Sequence, residues 1–322
     1  MALDLSSLPA PALIEALDYE TILARMVSDL VARDPSYSAI LESDPAIKIL
    51  EVAAARELIL RGRINDSFKA TLIAFSSGSD LDQLAAFYGV TRQASETDAD
   101  LRSRIVLRIQ GSSTAGGASW YRYQGLSASA RLKDVAVSSP SPGVVEMAVL
   151  SGERIKVESE TGTDLDTSAT YYGLTRTTGE SDADLKTRIL AVISGQGSDG
   201  TATTQLVNEV NTHIQGDAVR VLTDTVNTVS ATITPADVTA VVYLYPDTPS
   251  SVFTGLEASL TAAFNAAVGL GWDLTTSWLI SSLHPSGVQR VELSSPSSNI
   301  VVGPSAAVAL NSVNITLGGY DR

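Results

Sequence analysis

Apolar residues first recur at helical spacing over 18–33, where Ile22, Met26 and Leu30 share one face and Pro35 stops the pattern. A Pro-containing arm, 1–12, precedes it. Ser43-Asp44-Pro45 then has the form of a helix start, an acceptor side chain ahead of a proline at the first helical position. Beyond it Ile47, Leu50, Ala54, Leu58, Ile64, Phe68, Leu72 and Phe75 make one long stripe. The spacing predicts a helix over 45–75, about 45 Å long. That length exceeds what a compact domain needs. Long helices of this kind often bridge subunits, and Ile47, Leu50, Leu58, Ile64, Phe68, Leu72 and Phe75 are the residues expected to make such a contact.

The next stretch is written twice. Residues 78–109, GSDLDQLAAFYGVTRQASETDADLRSRIVLRI, and 162–193, GTDLDTSATYYGLTRTTGESDADLKTRILAVI, are identical at 17 of 32 positions without a gap. Leu81 recurs as Leu165, an offset of 84 (165 − 81). Each copy runs into an aromatic pair and a glycine, Gly89 or Gly173, suited to a left-handed helix cap. Thr97 and Ser181 then supply hydroxyls for a second helix start, with Asp98, Asp100, Asp182 and Asp184 at the positive end of its dipole. The offset continues through helices expected over 120–129 and 205–214 and short strands over 135–137 and 219–221. The repeat predicts a duplicated helix–turn–helix–loop–helix–strand module, too few copies for an open solenoid.

Alternating patterns follow a turn at 139–143: strands over 144–150 and 154–157 read as a hairpin around Ser151-Gly152. Further strands are expected over 228–234, 240–245, 288–293 and 311–317. A helix through Phe253, Leu256, Leu260, Phe264 and Val268 and a short one over 276–283 lie among them, which suggests helices on one face of a small sheet. The fold class read from this is α+β multidomain: an N-terminal arm and long-helix bundle over 1–77, a first repeat module with a β hairpin over 78–150, a second repeat module over 151–225, and a C-terminal α+β sandwich over 226–322.

Composition narrows the function. With 322 residues, 44% of them hydrophobic, the chain can build real cores. A formal net charge of −14 argues against a general nucleic-acid surface, so proteins are the expected partners. There is no cysteine, and no run approaches the ~18 apolar residues of a membrane span. Arg56, Arg61 and Arg63 cluster on the long helix, either paired with Glu51 and Glu57 or facing an acidic partner.

No catalytic motif stands out. His213 and His284 fall at helix ends; no Gly-x-Ser-x-Gly, Gly-Lys-Ser/Thr or His-Glu-x-x-His is present. The pairs Asp98/Asp100 and Asp182/Asp184 lack the glycine and distal glutamate of a calcium loop, and Glu15, Asp18 and Glu20 fit one face of a helix. The expectation is a chain that is not an enzyme, with no catalytic, cofactor-binding or metal-binding residues and no cofactor. Two other readings compete with a structural role. One is a cell-wall glycan-acting enzyme with its site in the Gly/Ser loops 110–119 and 194–204. The other is a receptor-binding or adhesin module, which should expose aromatic platforms, whereas Trp120, Trp272 and Trp278 fall in or beside helices.

The segment DPAIKILEVAAARELILRGRINDSFKATLIAFSSGSDLDQLAAFYGVTR (44–92), followed by ETDADLRSRI, resembles the N-terminal region of the baseplate wedge protein J family of contractile-tailed phages and related injection systems. SPSPG at 139–143, VVYLYP at 241–246 and LHPSGVQRVEL at 283–293 resemble its central and C-terminal parts, in the same order. The resemblance implies structural work in a sixfold ring around the hub. Its partners would be copies of the chain, a smaller baseplate wedge protein, a sheath-proximal lysozyme-like wedge protein, and tail fibre or hub proteins. It implies N-terminal helices that bundle with wedge partners and a C-terminal domain, 226–322, that self-associates. It also implies assembly in the host cytoplasm and residence in the virion tail baseplate. Family members carry one copy of the repeated module; the second, over 151–215, is expected to project or to meet an additional partner.

Overall fold

The computed structural model describes residues 9, 11, 15–37, 41–112, 116–197, 200–217 and 219–321. Most of the arm expected over 1–12, and parts of both Gly/Ser loops, lie outside them. The chain forms two compact units, Met1–Val106 and Leu107–Arg322.

In the first unit α1 (Tyr19–Arg33) begins at Asp18, whose carboxylate accepts the Thr21 N–H at 3.1 Å, and packs on α2 (Pro45–Ala70). Asp44 caps α2 by accepting the Ala46 N–H at 2.8 Å. The helix is shorter than its stripe: it has 26 residues, about 39 Å. Leu72 and Phe75 lie in the turns that follow it, half-buried. The Arg102 guanidinium holds these turns by donating to the Ile73 carbonyl at 3.0 Å and the Ser76 carbonyl at 2.6 Å. Turn residues that still face inward prolong the apolar period, so the stripe hides the stop. α3 (Gly78–Phe87) and α4 (Asp98–Gly111) complete the first copy of the repeat.

The second unit opens with α5 (Ala118–Ala128), β1 (Leu132–Ser141) and β2 (Val144–Ser151). The hairpin expected around Ser151-Gly152 is absent: β2 pairs antiparallel with β1, and 154–157 belongs to α6 (Glu153–Ser159). Ser151 Oγ accepts the Glu153 N–H at 3.1 Å, an interaction that starts a helix rather than a turn between strands. α7 (Gly162–Tyr171) and α8 (Asp182–Gly197) form the second copy, around Val157, Leu165, Ala169, Leu185, Ile189 and Ile193. α9 (Thr204–Ile214) follows, but 219–221 is a turn closed by Val219 N–H on the Gly216 carbonyl, not the strand that the offset implied. β3 (Thr225–Ser230) instead pairs parallel with β2, giving the order β1-β2-β3. α5 and α9 cover this sheet through Tyr121, Val135, Met147, Val149, Leu206, Val210 and Ile214.

The run expected as one strand over 228–234 is divided between two sheets. β3 ends at Ser230 and β4 (Thr232–Leu244) begins the second, with Ala231 between them. The expected helix through Phe253 and Val268 is likewise two, α10 (Ser250–Thr254) and α11 (Leu256–Ala267), divided at Gly255. α12 (Thr276–Ser282), β5 (Val288–Ser295) and β6 (Ala306–Tyr320) follow, and the second sheet has the order β5-β4-β6. Val238, Val242 and Leu244 of β4 pack against Leu256, Leu260 and Phe264 of α11 and Leu279 of α12. Among the described residues the chain is a mixed α+β protein of twelve helices and two small sheets.

Two stability predictions follow from this packing. Gly89 has φ +67°, and nothing lies within 4 Å of where its Cβ would stand, so the penalty of a side chain is conformational. Gly89→Val should cost at least about 1–2 kcal/mol in chemical denaturation. Tyr121 is fully buried and donates to Asp224 Oδ2 at 2.7 Å. Burial, reinforced by that carboxylate, pushes its phenol from 10.0 up to about 12. Both states keep the proton below the unfolded value. Above it the unfolded chain ionises first, so melting temperature should fall between about pH 10 and pH 12, and Tyr121→Phe should flatten the decline.

Candidate interaction surface

The seven residues read as a bundling face do not lie on one surface. Ile47 is buried inside the first unit, and Leu50, Leu58 and Phe68 are half-buried along the same side of α2 as buried Ala54 and Asn65. Asn65 anchors that side, accepting the Glu15 N–H at 3.2 Å and donating to the Glu15 carbonyl at 2.9 Å. Leu72 and Phe75 belong to the turns after the helix. Ile64 stands elsewhere and is 62% exposed.

Ile64 has company that the spacing argument missed. Ile49, Val52, Ile59 and Leu60 are 59–69% exposed, and at about 100° per residue they fall with Ile64 on the side of α2 away from Ile47, Ala54 and Asn65. A signal was available in the run Leu58-Ile59-Leu60, since consecutive apolar residues in a helix cannot all face one way. The arginine cluster also divides. Arg61 pairs with Glu57 at 2.7 Å and with Glu15, and Glu51 is taken by Lys48 at 2.7 Å. Arg56 and Arg63 are exposed on the apolar side and form no salt bridge among the described residues.

The repeated module is held by the same polar staple in each copy. Arg92 reaches Asp82 and Asp98, both at 2.7 Å, while Asp98 accepts the Gly78 N–H at 3.1 Å. Arg176 reaches Asp166 at 2.6 Å and Asp182 at 2.7 Å, and Asp182 accepts the Gly162 N–H at 3.0 Å. These backbone N–H groups, with the arginines, hold Asp98 and Asp182 below the usual carboxylate range. Asp100 N–H on Thr97 Oγ1 and Asp184 N–H on Ser181 Oγ, each 3.2 Å, account for the aspartate pairs as helix starts. In the second unit Glu153, with no exposed surface, accepts Ser151 Oγ at 2.9 Å, Thr203 Oγ1 at 2.9 Å, Thr203 N–H at 3.2 Å and Tyr172 Oη at 3.1 Å. That carboxylate is fully engaged in tying α6, α7 and α9 to the end of β2.

None of this resembles a reaction centre. His213 Nε2 lies 3.0 Å from Gln124 Oε1, and burial lowers its pKa; His284 Nε2 lies 3.2 Å from the Gln289 carbonyl. Trp272 and Trp278 stack edge-on 5.3 Å apart against the core of the second sheet, so they form no exposed platform. A cleft of about 410 Å³ is lined by α6, α11 and the middle of β6, with Glu158 and Glu257 among its walls. Glu158 bonds Arg154 at 2.9 Å and both acids are exposed, whereas glycoside chemistry needs one desolvated carboxyl. Among the described residues no group of His, Asp and Glu is placed to hold a metal, and no helix is long and apolar enough to cross a membrane.

Comparison with known proteins matches this sequence to a family. The Baseplate J-like N-terminal domain covers residues 42–99, which takes in α2, α3 and the Arg92 staple. Baseplate protein J of Escherichia phage P2 is 32% identical over 343 aligned residues, spanning 99% of this chain and 99% of that protein. With one domain matched at the N-terminal unit and a relative matched from end to end, the chain belongs to the baseplate J-like family.

Proposed function

We propose that the chain is a wedge component of a contractile tail, a structural part of the phage baseplate that joins other wedge proteins in a ring around the hub and relays the trigger for sheath contraction. The observation that carries this reading is the unpartnered apolar side of α2. Ile49, Val52, Ile59, Leu60 and Ile64 stand exposed on a helix whose other side is already satisfied by its own unit. Covering such residues contributes on the order of 1.5–3 kcal/mol each. Helices of wedge neighbours are the occupants that fit, and Arg56 and Arg63 beside the stripe would select acidic ones.

In this reading the neighbours are copies of the chain, a smaller wedge protein and a sheath-proximal lysozyme-like wedge protein, with fibre and hub proteins beyond. Assembly takes place in the host cytoplasm. The segments 1–77, 78–150, 151–225 and 226–322 serve as bundling region, first module, second module and self-association domain. The second module projects toward an additional partner. The trigger passes as a rigid-body change of interfaces, with no covalent step in this chain.

Co-expression with the neighbouring tail proteins, followed by light scattering and negative-stain imaging, tests the reading. A discrete complex that closes into rings is expected, and a monodisperse monomer indifferent to those proteins would overturn it. The doubly substituted chain Ile59→Glu/Ile64→Glu should melt like wild type, within about 0.5 kcal/mol, because both positions are exposed. It should nonetheless fail to enter the complex; normal incorporation would remove α2 from the interface.

A further inference from the structure

The two copies of the repeat differ at one surface. In the second copy the aromatic pair that ends α7, Tyr171 and Tyr172, is covered. The Arg131 guanidinium lies 3.7 Å from the Tyr171 ring centre and 6.0 Å from that of Tyr172, and Tyr171 Oη donates to Glu209 at 2.7 Å. In the first copy the corresponding pair ends α3. Phe87 is 85% exposed and Tyr88 40%, and no cation lies over either ring among the described residues.

The end of each helix explains why a cation belongs there. Neither α3 nor α7 carries a basic residue in its last turn, so the negative end of each helix dipole is left uncompensated from within. In the second copy Arg131, just before β1, stacks on the aromatic faces and donates to Ser168 Oγ in the last turn of α7 at 3.5 Å, which sets a positive charge beside that helix end. The first copy keeps both demands without the supply. It has also exchanged the tyrosine whose hydroxyl requires Glu209 for a phenylalanine, which requires no acid beside it. What remains at Phe87–Tyr88 is a ring platform at a carbonyl-rich helix end.

We propose that this platform is a docking site for an arginine presented by another chain of the baseplate, seated on Phe87 and Tyr88 as Arg131 is seated on Tyr171 and Tyr172. The inference rests on the baseplate reading but concerns a surface distinct from the α2 stripe. A guanidinium satisfies both features, since it stacks flat on a ring and carries a charge that suits the helix end.

Phe87→Lys and Phe87→Tyr test it in the co-expressed assembly. Both variants should melt like wild type, given the exposure of the site. Phe87→Lys should reduce incorporation into the complex about tenfold, since it removes the ring and repels the incoming cation, whereas Phe87→Tyr should incorporate normally. Replacement of Phe87 by photoreactive p-benzoylphenylalanine should yield an adduct whose sequenced peptide contains an arginine beside the attachment point. Normal incorporation of Phe87→Lys, or adducts with no arginine near the link, would overturn the proposal. Failure of the wild-type chain to assemble would instead sink the baseplate reading itself.

Discussion

A helix that is apolar on two sides cannot satisfy both with one packing partner, and among the described residues the main partner of α2 is α1. One side is settled by Ile47, Ala54 and Asn65; the other carries five aliphatic side chains into solvent beside two arginines that form no salt bridge among the described residues. Such a helix is normal in the interior of a larger object and costly on a free monomer. The proposed docking of neighbours on the N-terminal unit rests on that imbalance. The Glu15–Asn65 bonds and the Arg61 pairs fix which side of α2 is spent within the chain, and so fix which side is left for others.

Much of this was legible where local chemistry decides. Asp44, Thr97 and Ser181 announce helix starts because a cap needs only its own side chain and the next turn. The duplication showed that two pieces share a plan, and Gly89 and Gly173 both take the left-handed conformation that the plan requires. Less was legible where distant groups decide. The end of α2 depends on Arg102, far along the chain, and the helical form of 153–159 depends on Ser151 and on Thr203, 50 residues away from Glu153. Residues 228–234 are uniformly strand-like, so nothing local reveals that Ala231 divides two sheets. For the surface, periodicity located the helix but joined Ile64 to the wrong partners, because the step from Leu58 to Ile64 is six residues, about 600° of helix turn, which leaves the face.

The copies also show how a shared sequence acquires different electrostatics. Arg104 and Glu96 are both 6% exposed and 3.0 Å apart, and burial pushes the Glu96 carboxyl up despite its partner. The equivalent Arg188 is 40% exposed, and its hydrogen bonds pull Glu180 down. One motif therefore titrates in opposite directions according to whether burial of the acid or its hydrogen bond to the arginine leads. At the aromatic pairs exposure and residue identity both differ: Phe87 is exposed where Tyr171 is half-buried.

Ala231 carries a mechanical consequence. It is the single residue between β3 and β4, and its N–H is bonded to the Val149 carbonyl at 2.9 Å. Tension drawn along this segment has no slack loop to extend. It passes along β3 directly into β4, so the hydrogen bonds of the β2–β3 and β4–β6 ladders, six and thirteen residue pairs in register, are what resist it. A part joined in this way behaves under load as a strap.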